Sequence, residues 1–218
     1  MSDAGDAPGI SFKQELLRKG VHLSSLWMVA LIYFWTGDPE LLFYFFGTCF
    51  ILNIMCEFAF SMKVPVITQI YGCLFRSMLR KQPERGTWIV SGSPPVFLAA
   101  ALVSWLFPQY LAAISLGVML LADTAAALVG RRFGKHKLNG GKSIEGTVVF
   151  VLTGVIFSLF VLYFTPGFTL SRIFLLSLGV IFAAIAELYE KQLHLDDNLT
   201  IPLLTGLPLW FVITFSGG

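Results

Sequence analysis

Seven long apolar stretches dominate this chain of 218 residues and restrict what it can fold into. A helix needs roughly 20 apolar residues to cross the hydrocarbon core of a bilayer. With 56% hydrophobic and only 13% charged residues, the chain is too apolar for a soluble domain, where about a quarter of residues are charged. The alternating pattern of barrel strands is absent, so we expect helices. The stretches lie at about residues 21–37, 41–60, 88–107, 110–130, 147–165, 171–190 and 199–216.

The sequence therefore predicts an all-α fold, a polytopic membrane helical bundle of about seven transmembrane helices. We expect a single transmembrane domain over residues 11–218 and a disordered polar tail at 1–10. Residues 64–82 carry apolar side chains at helical spacing and end in cations, which predicts either a cytoplasmic amphipathic helix or an ordinary connector. Within the third stretch, the segment from Ser91 to Pro95 predicts either broken backbone that lines a cavity or a kink near a helix start.

The basic residues predict the orientation, because short cytoplasmic loops retain Lys and Arg. With the N-terminus inside, 14 of the 15 Lys and Arg residues fall on the cytoplasmic side, and Arg172 alone falls outside. An odd number of spans then puts the C-terminus on the opposite side. No cleavable signal peptide is predicted, because the first apolar stretch is long enough to span and follows charged residues. This sidedness favours anionic lipid headgroups or a cytosolic nucleotide as partners, not nucleic acid, and leaves the oligomeric state open.

The 26 residues from Leu121 to Gly146 (LADTAAALVGRRFGKHKLNGGKSIEG) carry the strongest chemical signal. An ionised aspartate at mid-bilayer costs roughly 2.5–3.5 kcal/mol, so Asp123 needs a partner. The loop that follows supplies cations and glycine N–H groups, which polyphosphate oxygens require. This pattern predicts a nucleotide triphosphate bound at a membrane surface; the alternative is a basic loop that only sets topology. The cations are Arg131, Arg132, Lys135, Lys137 and Lys142, and the glycines are Gly130, Gly134, Gly140, Gly141 and Gly146.

One helical face before the first span carries an acid, two cations and an imidazole: Glu15, Arg18, Lys19 and His22. This strip would bind phosphate or position a hydroxyl. The alternative is interfacial anchoring by snorkelling cations beside a satisfied histidine.

Acidic residues predict a second part of the site. Glu57, Asp123 and Glu187 each lie late in an even-numbered span, so the predicted topology puts all three at one depth in the inner leaflet. Asp197 and Asn198 precede the last span, where oxygen ligands suit Mg²⁺ and where a helix N-cap is the simpler interpretation.

The combination of motifs resembles the CTP-dependent lipid-alcohol kinases, which include dolichol kinase, phytol kinase and the CTP-dependent diacylglycerol kinase of yeast. Gly141 stands where many members have a second lysine, so this loop has one cation fewer. The matching segments are ExxRKxxH at Glu15–His22, an Arg/Glu segment at Arg80–Arg85, DxxAxxxGxxxG at Asp123–Gly134, KSxEG at Lys142–Gly146 and DDNLTIP at Asp196–Pro202.

The resemblance implies transfer of the γ-phosphate of CTP to the hydroxyl of a membrane alcohol, such as a dolichol-type polyprenol, a phytol-type isoprenoid or diacylglycerol. It also implies that Asp123–Gly146 binds CTP. Our hypothesis for the donor is that Lys142 and the neighbouring cations hold the triphosphate with Ser143 and backbone N–H groups. The predicted nucleotide-binding residues are Arg18, Lys19, Arg131, Arg132, Gly134, Lys135, Ser143, Glu145 and Gly146.

The remaining assignments concern the metal and the base. We expect Asp123 and Asp197, with Glu187 and Asn198, to hold Mg²⁺. Asp123, Glu57 and His22 are the candidate bases for the lipid hydroxyl, and Asp123 and Lys142 are the central catalytic residues. Two alternative functions remain: cytidylyl transfer to a phospholipid, or transport across the bilayer, which would need polar residues at both depths.

Overall fold

The computed structural model describes residues 12–69, 92–138, 141–167, 169–193 and 196–215. Its principal elements are helices, which confirms the predicted all-α bundle. In chain order they are α1 (Phe12–Ser24), α2 (Leu26–Phe34), α3 (Pro39–Ser61), α4 (Ser93–Leu106), α5 (Gln109–Phe133), α6 (Ile144–Tyr163), α7 (Leu170–Leu193) and α8 (Asp197–Phe215).

Five of the described helices, α3 and α5 to α8, are long and apolar enough to cross a membrane. Helix α4 is apolar but has only 14 described residues. The first predicted span, 21–37, is interrupted at Ser25, where α1 ends and α2 begins. The chain is thus a helical membrane protein, and the number of seven spans stays a prediction.

Helix α5 is the central element of the bundle. Every residue from Leu111 to Leu120 is buried, and the helix packs against α1, α2, α4, α6 and α8. Glycine allows the peripheral helices to approach closely, because a Cβ added at Gly179 in α7 would overlap the backbone of Thr205 in α8. The part of α5 around Asp123 is also surrounded by protein, because Ala122, Asp123 and Thr124 are buried.

Helix α1 turns its charged face inward and an apolar face outward. Glu15 and Lys19 are buried, whereas Leu16, Leu17 and Val21 are exposed. A surface helix of a soluble protein has the opposite arrangement. An outward apolar face suits contact with lipid, and the charged side chains of α1 are directed into the bundle instead of serving only as interfacial anchors.

Helix α4 begins at Ser93, with two prolines in its first turn. A proline in the first turn lacks only an N–H group that would have no helical partner. The structure therefore favours the interpretation of this proline pair as part of a helix start. Most of the predicted amphipathic helix at 64–82, together with Ser91 and the tail at 1–10, lies outside the described residues.

Candidate active site

A buried ion pair connects α1 to the centre of the bundle. Lys19 Nζ donates a hydrogen bond to Asp123 Oδ2, and the two side chains are only 4% and 6% exposed. The residues are 104 positions apart in the sequence. The pair supplies the partner that a carboxylate within an apolar helix requires, and it joins two motifs that the sequence had shown separately.

His22 lies beside this ion pair. Its Nε2 atom is 3.7 Å from Asp123 Oδ2 and, among the described residues, has no hydrogen-bond partner although it is buried. Buried polar atoms are nearly always hydrogen-bonded, so an orphaned one next to a carboxylate marks a place where a ligand atom can bind. The other two members of the strip pair with each other, because Arg18 donates to Glu15 at 2.6 Å.

The loop between α5 and α6 forms a short hairpin-like turn. The N–H of Leu138 donates to the carbonyl of Lys142 at 2.9 Å, and the N–H of Ile144 donates to the carbonyl of His136 at 3.0 Å. Glu145 fixes the other side, with its carboxylate 2.8 Å from His136 Nδ1. Hydrogen bonds therefore hold the backbone before and after residues 139–140, which themselves lie outside the described ranges.

Ser143 is the N-cap of α6. Its hydroxyl accepts a hydrogen bond from the N–H of Gly146 at 3.2 Å, and the residue is buried. Gly130, Gly134 and Gly146 surround this hydroxyl so closely that a Cβ at Gly134 would overlap Ser143 and the carbonyl of Gly130. Helix capping and packing thus explain part of the glycine pattern. Phosphate contact by Ser143, Gly134 and Gly146 stays a prediction.

Lys142 leaves this turn toward α7. Its Nζ donates to Glu187 Oε1 at 2.7 Å and lies 3.6 Å from Glu190 Oε2. Partial burial acts to lower the pKa of Lys142, but the adjacent Glu187 and Glu190 carboxylates outweigh it, so the pKa rises above its usual value. Lys142 therefore carries a full positive charge at any physiological pH, with a side chain that is 26% exposed.

The start of α8 completes this end of the bundle. Asp196 is its cap, because Asp196 Oδ1 accepts from the backbone N–H of Asn198 at 3.0 Å and from Asn198 Nδ2 at 3.1 Å. Partial burial and the neighbouring Asp197 raise the pKa of Asp196. The cap interpretation therefore holds for Asp196, while Asp197 faces α7, within hydrogen-bonding reach of Glu190.

The two ion pairs belong to one electrostatic group. The positive charge of Lys142 attracts the Asp123 carboxylate, and the Asp123 carboxylate repels that of Glu187. The charged groups of α5, the turn and α7 therefore interact electrostatically. The charge of Asp197 reaches Arg18 and His22 of α1. Charged side chains from α1, α5, α7, α8 and the α5–α6 turn thus converge at one end of the bundle.

Other predicted residues lie at the margin of this group. Arg131, Arg132 and Lys135 are exposed, and Arg132 lies over the ring of Phe133 at 5.5 Å. Glu57 is buried in α3, which packs mainly against α4, and its membership of the site stays a prediction. One turn before it, Asn53 accepts a hydrogen bond from Ser93 Oγ at 3.1 Å.

Several proteins named as lipid kinases are similar to this chain. A phytol kinase of Synechocystis sp. is 39% identical over 102 residues, which cover 45% of this chain and 43% of that protein. The CTP-dependent diacylglycerol kinase 1 of Saccharomyces cerevisiae is 28% identical, with 89% of this chain and 72% of the relative covered. The chain is thus similar to a phytol kinase and to a CTP-dependent diacylglycerol kinase.

Some of these similarities cover only part of each protein. An uncharacterized protein of Rickettsia prowazekii is 36% identical over 129 residues, 59% of this chain and 62% of that protein. The chain thus covers less than two thirds of the length of both this protein and the phytol kinase. No family model and no solved structure matches the chain.

Sequence reasoning missed Glu190 and the pairing of His136 with Glu145. Glu190 lies one turn after Glu187, and this spacing places both carboxylates on one face of α7. The signal was visible, but Glu190 lies close to the predicted end of a span, where an acid needs no special explanation. The bond between His136 and Glu145 depends on the shape of the turn, which the sequence does not reveal.

Proposed function

We propose that this protein is a CTP-dependent kinase that transfers the γ-phosphate of CTP to the hydroxyl of a membrane lipid alcohol. The observation that carries the proposal is the convergence of Lys19, His22, Asp123, Lys142 and Glu187 at one end of the bundle. Relatives named as phytol kinases and CTP-dependent diacylglycerol kinases support the reaction class and suggest CTP as the donor.

The cationic side chains suit the triphosphate. Lys142 and Lys19 supply charge close to the buried carboxylates, while Arg131 and Arg132 at the end of α5 and Lys135 in the turn supply it at exposed positions. Arg18 is half-exposed beside them. Phosphoryl transfer needs positioning and charge neutralisation more than covalent participation by the protein. Cations at both buried and exposed positions fit this chemistry.

The acidic side chains suit Mg²⁺, which when bound neutralises charge on the phosphate oxygens. Within the described residues no group of three His, Cys, Asp or Glu side chains forms a metal site by itself. This fits Mg²⁺, because the ion usually takes one or two carboxylates together with waters and substrate phosphates. We assign Asp123 and Asp197 to it, with Glu187 and Asn198 as further oxygen donors.

His22 is the residue best positioned to receive the proton of the lipid hydroxyl. Its Nε2 atom lacks a hydrogen-bond partner in the described structure and lies 3.7 Å from Asp123 Oδ2. A general base must reach the proton that it removes, and the free imidazole nitrogen satisfies this condition. Asp123 itself and Glu57 are the alternative bases.

The lipid would reach the site from the cytoplasmic leaflet, along the outer face of α1. Leu16, Leu17 and Val21 line this face and are 50%, 45% and 40% exposed. The opposite face of the same helix carries Lys19 and His22. A lipid alcohol beside α1 would therefore have its chain against apolar residues and its hydroxyl near the charged group.

The test uses the purified full chain with γ-labelled CTP or ATP and a panel of polyprenol, phytol and diacylglycerol acceptors. We expect label to enter the lipid with CTP, and Asp123→Asn and Lys142→Ala to abolish transfer while the remote, exposed Glu40→Gln retains it. In a parallel reaction with α-labelled CTP, entry of label into the lipid with release of pyrophosphate would identify a cytidylyltransferase instead. Near-wild-type turnover in both site variants would refute the proposed site.

A further inference from the structure

The two lysines that suit phosphate are both bound by carboxylates of the same site. Lys19 is paired with Asp123, and Lys142 is paired with Glu187. The carboxylates are the groups that suit a divalent cation. Phosphate would therefore compete with the carboxylates for the lysines, and the cation would compete with the lysines for the carboxylates.

Breaking one of these pairs on its own is costly. A buried charge that loses its partner keeps the desolvation penalty without the compensating attraction. An anion that takes Lys19 alone leaves Asp123 buried and unpaired, and a cation that takes Asp123 alone leaves Lys19 unpaired. Only simultaneous arrival of both ligands leaves all four charges compensated.

We propose that metal and nucleotide bind as a cooperative pair, because Lys19 and Lys142 pass from Asp123 and Glu187 to phosphate oxygens as the carboxylates pass to the cation. This inference rests on the proposed function. The shared electrostatics support it, since the charge of Lys142 also reaches Asp123 and that of Asp123 reaches Glu187. Each exchange replaces one opposite charge by another, so the site never contains an isolated buried ion.

The proposal predicts that neutralising a carboxylate of the site strengthens nucleotide binding in the absence of metal. If a carboxylate serves only as a metal ligand, its neutralisation leaves metal-free nucleotide binding unchanged. If it restrains a lysine, neutralisation releases the lysine, and nucleotide binds more tightly without metal. Asp197→Asn is the matched control, because Asp197 lies in the same group but forms no ion pair with Lys19 or Lys142 in the described part of the chain.

The experiment is calorimetric titration of CTP into the purified full chain in excess EDTA. Asp123→Asn and Glu187→Gln should each bind CTP about tenfold more tightly than wild type, equivalent to about 1.4 kcal/mol. Asp197→Asn and the remote Glu40→Gln should change the affinity less than about twofold, or about 0.4 kcal/mol. Unchanged or weaker binding in the first two variants, or an equal gain in Asp197→Asn, overturns the proposal.

A second arm uses Mn²⁺ alone, followed by its paramagnetic resonance signal. Lys19→Gln frees Asp123 and should tighten Mn²⁺ binding, while Arg18→Gln, whose partner is Glu15, should not. This arm also serves if Asp123→Asn does not fold, and no tightening in Lys19→Gln would contradict the exchange. Predicted binding changes without lipid phosphorylation would reject the proposed function alone. No CTP binding by any variant, with or without Mg²⁺, would reject both.

Discussion

At the scale of single residues, the pair of Lys19 and Asp123 is the feature whose disruption should destabilise the fold most. Both side chains are almost completely buried, so each stabilises the other only while both are charged. The pair therefore has two roles. It supplies charge to the site, and it holds α1 against α5.

Removing one member of the pair should be worse than removing both. We expect Lys19→Met to destabilise the fold by roughly 3–5 kcal/mol, because Asp123 stays buried and unpaired. Lys19→Met/Asp123→Asn should recover more than half of this loss, although both proteins lack activity. Thermal unfolding in detergent measures the effect. Arg18→Met is the control and should cost less, because Arg18 in its pair with Glu15 is 36% exposed. A double variant no more stable than Lys19→Met would contradict the prediction.

Lys142 predicts a pH dependence. Glu187 and Glu190 raise its folded-state pKa above that of the unfolded chain. For a lysine with a raised pKa, the pairing contributes fully below the unfolded value of about 10.4 and is lost as pH rises through the folded value. The stability difference between wild type and Glu187→Gln should therefore stay constant from about pH 7 to 10 and shrink only above about 10.4. Chemical unfolding at a series of pH values tests this, and a difference that already declines near neutrality would argue against it.

At the scale of elements, the sequence predicted the helices well because hydropathy is a local signal. It did not predict the interruption at Ser25, where helical hydrogen bonding almost continues: the N–H of Ser25 donates to the carbonyl of His22, and the N–H of Met28 donates to the carbonyl of Ser25. Apolar composition alone does not show such a change. The sequence also did not identify Ser143 as a helix cap, because a hydroxyl before a helix is typical of both a cap and a phosphate site.

The glycines of the α5–α6 turn allow a test of packing. Gly134→Ala should destabilise the protein by roughly 1–3 kcal/mol, because the added methyl group meets Ser143 and the carbonyl of Gly130. The same substitution at Gly20 in α1, where no atom lies within 4 Å of the added Cβ, should stabilise the helix by about 0.5–1 kcal/mol. Melting temperatures of the two variants should thus move in opposite directions. Equal shifts would show that packing does not determine the glycine at position 134.

At the scale of the whole molecule, the candidate site shows where sequence reasoning ends. Asp123 and Glu187 were recognisable because charged residues are rare in apolar helices, and Lys142 because it belongs to a basic, glycine-rich loop. The partner of each was not recognisable, since Lys19 and Asp123 are 104 residues apart and pairing depends on helix packing. Position along the chain also placed Glu57 and Glu187 at one depth, with Glu57 as a candidate base and Glu187 as a metal ligand. The structure adds a bond between Glu187 and Lys142.

The arrangement of charges across the bundle predicts its orientation. The turn that contains Lys135 follows α5, whereas Glu40 begins α3 next to Trp35, whose carbonyl accepts a hydrogen bond from Gln109 at the start of α5. The two exposed positions therefore lie at opposite ends of a helix of 25 residues. In a protein with Cys49, Cys56 and Cys73 replaced by alanine, we expect Lys135→Cys to react with an impermeant thiol reagent only from the cytoplasmic side, because basic loops stay inside. Glu40→Cys should react only from the other side, and permeabilised vesicles provide the control in which both react. Labelling of both from one side, or with the sides exchanged, would contradict the proposed cytoplasmic site.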